Sequence, residues 1–322
     1  MILEILILVV GIALIFKGSD LFVDASIAIG RIAHLPRVVV GGTIVSLATT
    51  TPELTVAIIA GINKVPELAL GNALGSVAAN IGLILALAAV ISPFKLASGE
   101  FRWRSALMLG LVIVLILMTL DLRLPQWRGL ILVGIGMIYL FIDYRQGRNL
   151  NTKHAEVSAE TANIRLKSRR VIMSFFLIGA AMVTGGSQLL VNSGTAIAEA
   201  IGVPPVFIGL TMVAIGTSLP ELATTVTAVR KRVFDLSVGN LIGANILNLT
   251  IIIGTTACIS PLTLNTITQI YTIPVILVIL SVFFLIVSIK SRLTRRDGIL
   301  LIMLYLIFIS ATIVFNLEDI SI

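Results

Sequence analysis

Residues 42–54, GTIVSLATTTPEL, set a proline and a glutamate in the middle of an apolar run, and residues 209–222, GLTMVAIGTSLPEL, do so again. A shift of 168 positions lays one on the other. It extends without a gap over Gly18–Pro93 and Gly186–Pro261, with 27 of 76 positions identical. The identities include Gly18/Gly186, Pro36/Pro204, Thr43/Thr211, Thr49/Thr217, Pro52/Pro220, Glu53/Glu221, Gly71/Gly239, Asn72/Asn240, Gly75/Gly243 and Asn80/Asn248. Two unrelated apolar segments would share leucine and valine through composition alone. They would not share proline, glutamate, asparagine and glycine, so the chain carries an internal repeat.

The rest of the chain fits a membrane setting. Of 322 residues, 57% are hydrophobic and 12% charged, about half the charge of a soluble domain, and the mean hydropathy is +1.09. That excludes a soluble enzyme with one anchor, a disordered chain and a disulfide scaffold. The single cysteine, Cys258, permits neither a disulfide framework nor a cysteine metal site. His34 and His154 are too few for a histidine centre. The net charge of +7 sits in short segments between apolar runs, where it reads as a topology signal and not as a nucleic-acid surface. Met1–Phe16 lacks the basic start of a cleavable signal.

A span needs about 20 mainly apolar residues. Ten such runs are expected: 1–23, 38–62, 68–91, 105–121, 128–144, 171–193, 205–229, 236–259, 268–289 and 298–316. Lipid offers no partner to a free amide, so each is a helix. With the N-terminus outside, 20 of the 23 Lys and Arg fall on the cytoplasmic side, leaving Lys64, Arg123 and Arg128 outside. Both termini then face out. Residues 145–170, mixed in charge and poor in apolar residues, form a cytoplasmic linker between 1–144 and 171–322. Equivalent repeat positions lie five spans apart, an odd number, so the copies cross the membrane in opposite senses. The expected fold is an all-α integral membrane protein of the plasma (inner) membrane, its ten transmembrane helices arranged as two inverted five-helix repeats. Such repeats with interrupted helices are the construction of many secondary transporters.

Glu53 and Glu221 stand in mid-span with no Lys or Arg at matching depth. An intramembrane charge costs about 2.5–3.5 kcal/mol on insertion scales, so the natural partner is a bound cation or proton. Pro52 and Pro220 lack an N–H and free the carbonyls of Ala48 and Gly216. With the hydroxyls of Thr49, Thr50, Thr217 and Ser218, the donors are all oxygen, which suits Ca²⁺ and Na⁺ better than Mg²⁺ or a soft metal. The Gly-Asn-x-x-Gly runs at 71–75 and 239–243 read as close helix packing. Asn80 and Asn248 are expected to line the cavity.

GTIVSLATTTPEL with GNALGSVAANIG, and GLTMVAIGTSLPEL with GNLIGANILN, resemble the two alpha-repeats of the cation/calcium exchanger superfamily, and of its prokaryotic sodium/calcium exchangers in particular. The resemblance implies a secondary active antiporter that exchanges Na⁺ for Ca²⁺ by alternating access, its first and sixth spans sliding on the core. It implies a Ca²⁺ site between Glu53 and Glu221, with the Thr49 and Thr217 carbonyls. It places Na⁺ on the Ser46 and Ala214 carbonyls, the Thr49 and Thr217 hydroxyls, Thr50, Ser218, Ser76 and the same glutamates. Two positions depart from the family pattern: Ala244 replaces a serine opposite Ser76, and Asn248 replaces an aspartate. The cavity then holds at most two negative charges, neutralised by one Ca²⁺ or two Na⁺, and H⁺ or another cation is the alternative coupling ion. The expected partners are these ions and the lipid bilayer, with no nucleic acid, no bound cofactor and a monomeric state.

Other candidates read more plainly. Asp20 and Asp24 are expected to pair with Lys17 and Arg31, Glu67 and Asp235 to cap the next helix, and Trp103 and Trp127 to anchor at the interfaces. A passive channel would need a ring of such sites across subunits. An intramembrane enzyme would need a nucleophile–base or paired-aspartate arrangement that the sequence does not contain.

Overall fold

The computed structural model describes residues 2–96, 98–150, 168–200 and 214–320. Most of the linker (151–167) and the start of the expected seventh span (201–213) lie outside the described residues. The helices in chain order are α1 (Ile2–Ala33), α2 (Arg37–Val40), α3 (Ser46–Thr49), α4 (Thr51–Ile62), α5 (Pro66–Ala79), α6 (Ala86–Ile91), α7 (Ser98–Met118), α8 (Gln126–Leu150), α9 (Arg169–Ala200), α10 (Ala214–Thr217), α11 (Leu219–Arg230), α12 (Phe234–Leu247), α13 (Ile253–Ile259), α14 (Ile273–Lys290) and α15 (Arg295–Ile320). Wider π-helical turns, at Gly41–Val45, Asn80–Leu85 and Asn248–Ile252, join α2 to α3, α5 to α6 and α12 to α13.

Among the described residues, seven helical segments are long and apolar enough to cross a membrane. Ile2–Ala33, Pro66–Ile91, Gly99–Met118, Gln126–Arg148, Arg169–Ile197, Phe234–Ile259 and Thr268–Lys290 each match an expected span. Arg37–Thr49 and Thr51–Ile62 form an eighth, bent by 44°. The protein is a multi-pass helical membrane protein.

The chain folds as two compact units, each assembled from two stretches: Met1–Thr49 with Phe141–Asn240, and Thr50–Leu140 with Leu241–Ile322. In the first unit α1 and α9 run antiparallel at near backbone contact. A Cβ added at Gly11 would sit 2.9 Å from the Gly186 carbonyl, and one at Gly179 would sit 2.7 Å from the Phe22 amide. Such small-residue crossings supply the packing that lipid does not. In the second unit α15 packs on α6, with a Cβ at Gly298 falling 2.6 Å from the Ala86 carbonyl. Two short antiparallel ladders, Phe94–Lys95 with Arg292–Leu293 and Arg123–Leu124 with Leu262–Thr263, tie its loops together.

Local backbone geometry recurs at the 168-residue offset. Lys64 and Arg232 both adopt left-handed φ, 60° and 55°, ending α4 and α11. The following amides, Val65 and Val233, both donate to the carbonyl five residues back at 2.9 Å, the helix-ending motif that turns a chain sharply.

Two expectations are corrected. Asp20 and Asp24 pair with Lys231, at 3.5 and 2.7 Å, and not with Lys17 or Arg31. That link joins α1 to the end of α11, 207 or more residues away, and no local spacing announces it. Among the described residues nothing lies within 4 Å of a Cβ added at Gly71 or Gly75, so neither is a packing contact there. Gly239, the repeat counterpart of Gly71, is one.

Thr294 and Asp297 cap α15. Asp297 Oδ2 accepts from the Thr294 amide (3.0 Å) and hydroxyl (2.6 Å), and Lys290 donates to Oδ1 (2.5 Å). Burial raises the Asp297 carboxyl, and the Lys290 and Thr294 hydrogen bonds outweigh it and hold the group below its usual range. A carboxyl lowered on folding stabilises above its unfolded pKa, and that stabilisation is lost as pH falls through the folded value. Asp297→Ala is expected to destabilise the protein by about 1 kcal/mol in thermal unfolding at neutral pH. The gap from wild type should narrow below about pH 4, and identical unfolding curves at pH 7 would remove the cap from the account.

Candidate cation site

The bent span breaks at Thr50, whose φ of −84° and ψ of 5° leave the helix before α4 restarts with Pro52 in its first turn. Ser218 breaks the chain the same way before α11, with φ −89°, ψ 3° and Pro220 in the first turn. In each case the glutamate follows the proline. Glu53 and Glu221 therefore sit where exposed N–H groups and the helix dipole favour a negative charge. Each is 1% exposed. The sequence thus builds two buried carboxylates on two restarted helices.

In the first unit, α3 supplies Ser46 and Thr49, both buried, and the second broken segment supplies Ala214, Thr217, buried Ser218 and Glu221. The Ser46 hydroxyl donates to the Thr43 carbonyl at 3.1 Å. The Thr49 side chain comes within reach of the Glu221 carboxylate. Among the described residues neither Glu221 oxygen has a hydrogen-bond partner of standard geometry. The Thr49 hydroxyl also donates to Asn240 Oδ1 at 3.1 Å, and Asn240 Nδ2 donates to the Thr224 hydroxyl at 3.3 Å. A narrow crevice with no room for a water molecule runs past Thr49, Pro220 and Thr224, walled by Phe22 and Val183.

In the second unit, Thr50, Glu53, Ser76, Asn80 and Asn248 are all buried, at 4% exposure or less. Asn80 and Asn248 each open a π-helical turn, a distortion that helices carry frequently at functional sites. Asn80 Nδ2 donates to Asn245 Oδ1 at 2.8 Å, and Asn245 Nδ2 donates to the Val77 carbonyl at 3.1 Å. That bond fixes the Asn80 amide through its nitrogen and leaves its oxygen unused. Asn80 Oδ1 and both polar atoms of Asn248 lack a partner among the described residues. A buried polar group left so costs about 1–3 kcal/mol, which marks these atoms as ones a ligand would satisfy.

All eleven expected site residues thus fall into two groups, six in the first unit and five in the second. Asn240, Thr224 and Asn245 were not expected as members. Asn245 matches Val77 under the repeat shift, so a search for repeated polar residues passes over it. Its signal was simpler: an amide in an apolar helix. Ala244 is fully buried in α12. Among the described residues no three His, Cys, Asp or Glu side chains cluster. A cation held here would draw most of its ligands from hydroxyl, amide and main-chain oxygens, the donor set of hard ions.

Buried carboxylates on proline-broken helices of a multi-pass membrane protein define an ion transporter. The chain belongs to the sodium/calcium exchanger protein family, whose pattern it matches over residues 3–145 and 171–314. It is 29% identical over 338 residues to the sodium/calcium exchanger MaX1 of Methanosarcina acetivorans, covering 94% of this chain and 97% of that one. It is 33% identical over 264 residues to the inner membrane protein YrbG of Escherichia coli K12, covering 81% of each. A solved structure of the sodium-calcium exchanger NCX_Mj, soaked with 2.5 mM Na⁺ and 1 mM Sr²⁺, matches with a TM-score of 0.84 and 28% identity, over 96% of this chain and 98% of that one. MaX1 and NCX_Mj are named as exchangers, not as enzymes.

Proposed function

We propose that this chain is a secondary active antiporter that moves Ca²⁺ against Na⁺ by alternating access, with Glu53 and Glu221 as the charged ligands. The observation that carries the reading is the repeated break: Thr50-Thr51-Pro52-Glu53 and Ser218-Leu219-Pro220-Glu221, with matching dihedrals and two buried carboxylates. MaX1 and NCX_Mj, both named sodium/calcium exchangers, support it. The ligand set is Glu53, Glu221, the Thr49 and Thr217 hydroxyls and carbonyls, Thr50, Ser218, Ser76, the Ser46 and Ala214 carbonyls, and the Asn80 and Asn248 amides. The chain works as a monomer of ten spans in two inverted five-helix repeats, 1–144 and 171–322. Both termini face outward, and the 145–170 linker is cytoplasmic.

Two carboxylates take one Ca²⁺ or two Na⁺ to neutrality. A third Na⁺ would leave net positive charge in a low dielectric. In proteoliposomes, uptake of labelled calcium is expected to require an opposing sodium gradient, and uptake indifferent to sodium would overturn the reading. Ala244 and Asn248, which remove a hydroxyl and a charge, favour a second reading in which protons are the coupling ion. It expects calcium flux along a pH gradient in sodium-free buffer; no such flux rejects it.

A further inference from the structure

Thr49 has one hydroxyl proton and two acceptors at hydrogen-bonding distance, the Ser46 carbonyl at 3.4 Å and Asn240 Oδ1 at 3.1 Å, with the Glu221 carboxylate beside it as a third to which it makes no bond of standard geometry. Which of them takes the proton decides whether Thr49 Oγ1 faces a cation with lone pairs or with a hydrogen. We infer that Asn240 and Thr224 are positioning residues that direct this proton away from Glu221 and so make Thr49 Oγ1 a sodium ligand. The inference rests on the exchange reading above.

The direction follows from the outer end of the chain of bonds. The Thr224 hydroxyl has two main-chain acceptors, Pro220 O at 2.9 Å and Glu221 O at 3.0 Å. Its proton is committed there, so toward Asn240 its oxygen can only accept. Asn240 must therefore present Nδ2 to Thr224, which leaves Oδ1 facing Thr49. Turning the amide over would set Oδ1 against a lone pair of Thr224. With the amide fixed, Thr49 donates to Oδ1, and its lone pairs are left for the side of Glu221. When no cation engages Glu221, the carboxylate is the stronger acceptor and draws the same proton. Thr49 is thus a donor with two positions. Asn240 supplies the one that ion binding selects.

The three side chains are 4%, 1% and 3% exposed for Thr49, Asn240 and Thr224, so water does not compete with the relay, and low dielectric strengthens each bond. The device is one-sided. The repeat shift lays Asn72 on Asn240, but it lays Val56 on Thr224, and a valine accepts no hydrogen bond. The two halves of the repeat share their carboxylates and the amide, and differ in having valine or threonine at this place.

Thr224→Val keeps the shape and removes the acceptor. The Asn240 amide is then free to turn, pointing Nδ2 at Thr49. Half-saturating Na⁺ for calcium exchange in proteoliposomes is expected to rise about tenfold, the scale of one buried hydrogen bond. Half-saturating Ca²⁺ should move less than twofold, because a divalent ion with six to eight ligands leans mainly on carboxylate charge. Thr224→Ser should restore sodium dependence to the wild-type value. Asn240→Leu, which loses donor and acceptor together, should repeat the Thr224→Val effect and serves in its place if that variant does not fold. Sodium half-saturation within twofold of wild type in these variants overturns the relay and leaves the exchange reading intact. Equal shifts for Na⁺ and Ca²⁺, or no rescue by serine, also overturn it, by showing a merely structural role. Wild-type vesicles without sodium-driven calcium flux would overturn the exchange reading and the relay with it.

Discussion

Glu221→Gln is expected to lower sodium-driven calcium uptake by at least about a hundredfold, and Glu53→Gln to do the same. Glutamine keeps the size and the polar end of the side chain, so packing changes little and the lost quantity is charge. Two unit charges about 4 Å apart interact by about 4 kcal/mol at an effective dielectric of 20, and a divalent ion doubles that for each carboxylate. Even after desolvation takes its share, one missing charge exceeds the roughly 2.7 kcal/mol that a hundredfold change requires. Stability separates this loss from misfolding. In ion-free buffer the Gln variants should unfold no earlier than wild type, because an intramembrane charge has been removed. Wild type should gain thermal stability with added Ca²⁺ through ligand linkage, and the variants should gain none. Near-normal uptake, or calcium stabilisation retained in both variants, would take the two glutamates out of the site.

The features legible in the sequence are those the repeat duplicates or hydropathy delimits. Seven described spans match the expected apolar runs, because length and apolarity alone select a bilayer-crossing helix. The breaks at Thr50 and Ser218 follow from Pro52 and Pro220, since a missing N–H is a local fact. The long-range partners were not legible. Asp20 and Asp24 meet Lys231, and nothing near Asp20 distinguishes Lys231 from Lys17. Asn245 supports Asn80 and has only Val77 as its repeat counterpart, so duplication hid it. Asn240 was visible in the Gly-Asn-x-x-Gly run, yet a run shared by both copies does not say what its amide touches. The same run misled on its glycines: Gly239 packs against the backbone of a neighbouring helix and, among the described residues, its counterpart Gly71 does not.

That asymmetry sets the second large effect. Gly239→Ala is expected to destabilise the protein by about 2–3 kcal/mol, at the upper end of what overpacking costs, and to reduce folded protein recovered from membranes. The added Cβ would lie 2.3 Å from the Val38 carbonyl oxygen and 3.0 Å from the Val38 Cα. These are backbone atoms, which no rotamer change can clear. The reverse contact is as tight, with a Cβ at Gly41 falling 2.3 Å from the Leu236 carbonyl and 2.8 Å from the Asn240 amide. Relief to an ordinary 3.4 Å contact needs α12 to back away by about 1 Å. Asn240 follows Gly239 directly, so the same movement would draw its Oδ1 off the Thr49 hydroxyl, now at 3.1 Å, and beyond hydrogen-bonding distance. Any Gly239→Ala protein that folds should therefore need more sodium for half-maximal exchange. Gly71→Ala is the internal control, because the equivalent glycine of the other copy is exposed and, among the described residues, has nothing within 4 Å of its added Cβ. It should unfold within about 1 kcal/mol of wild type, with any change toward greater stability from alanine's helix propensity. Equal unfolding temperatures for the two variants would mean that the backbone contact between the Val38 turn and α12 does not hold the site together.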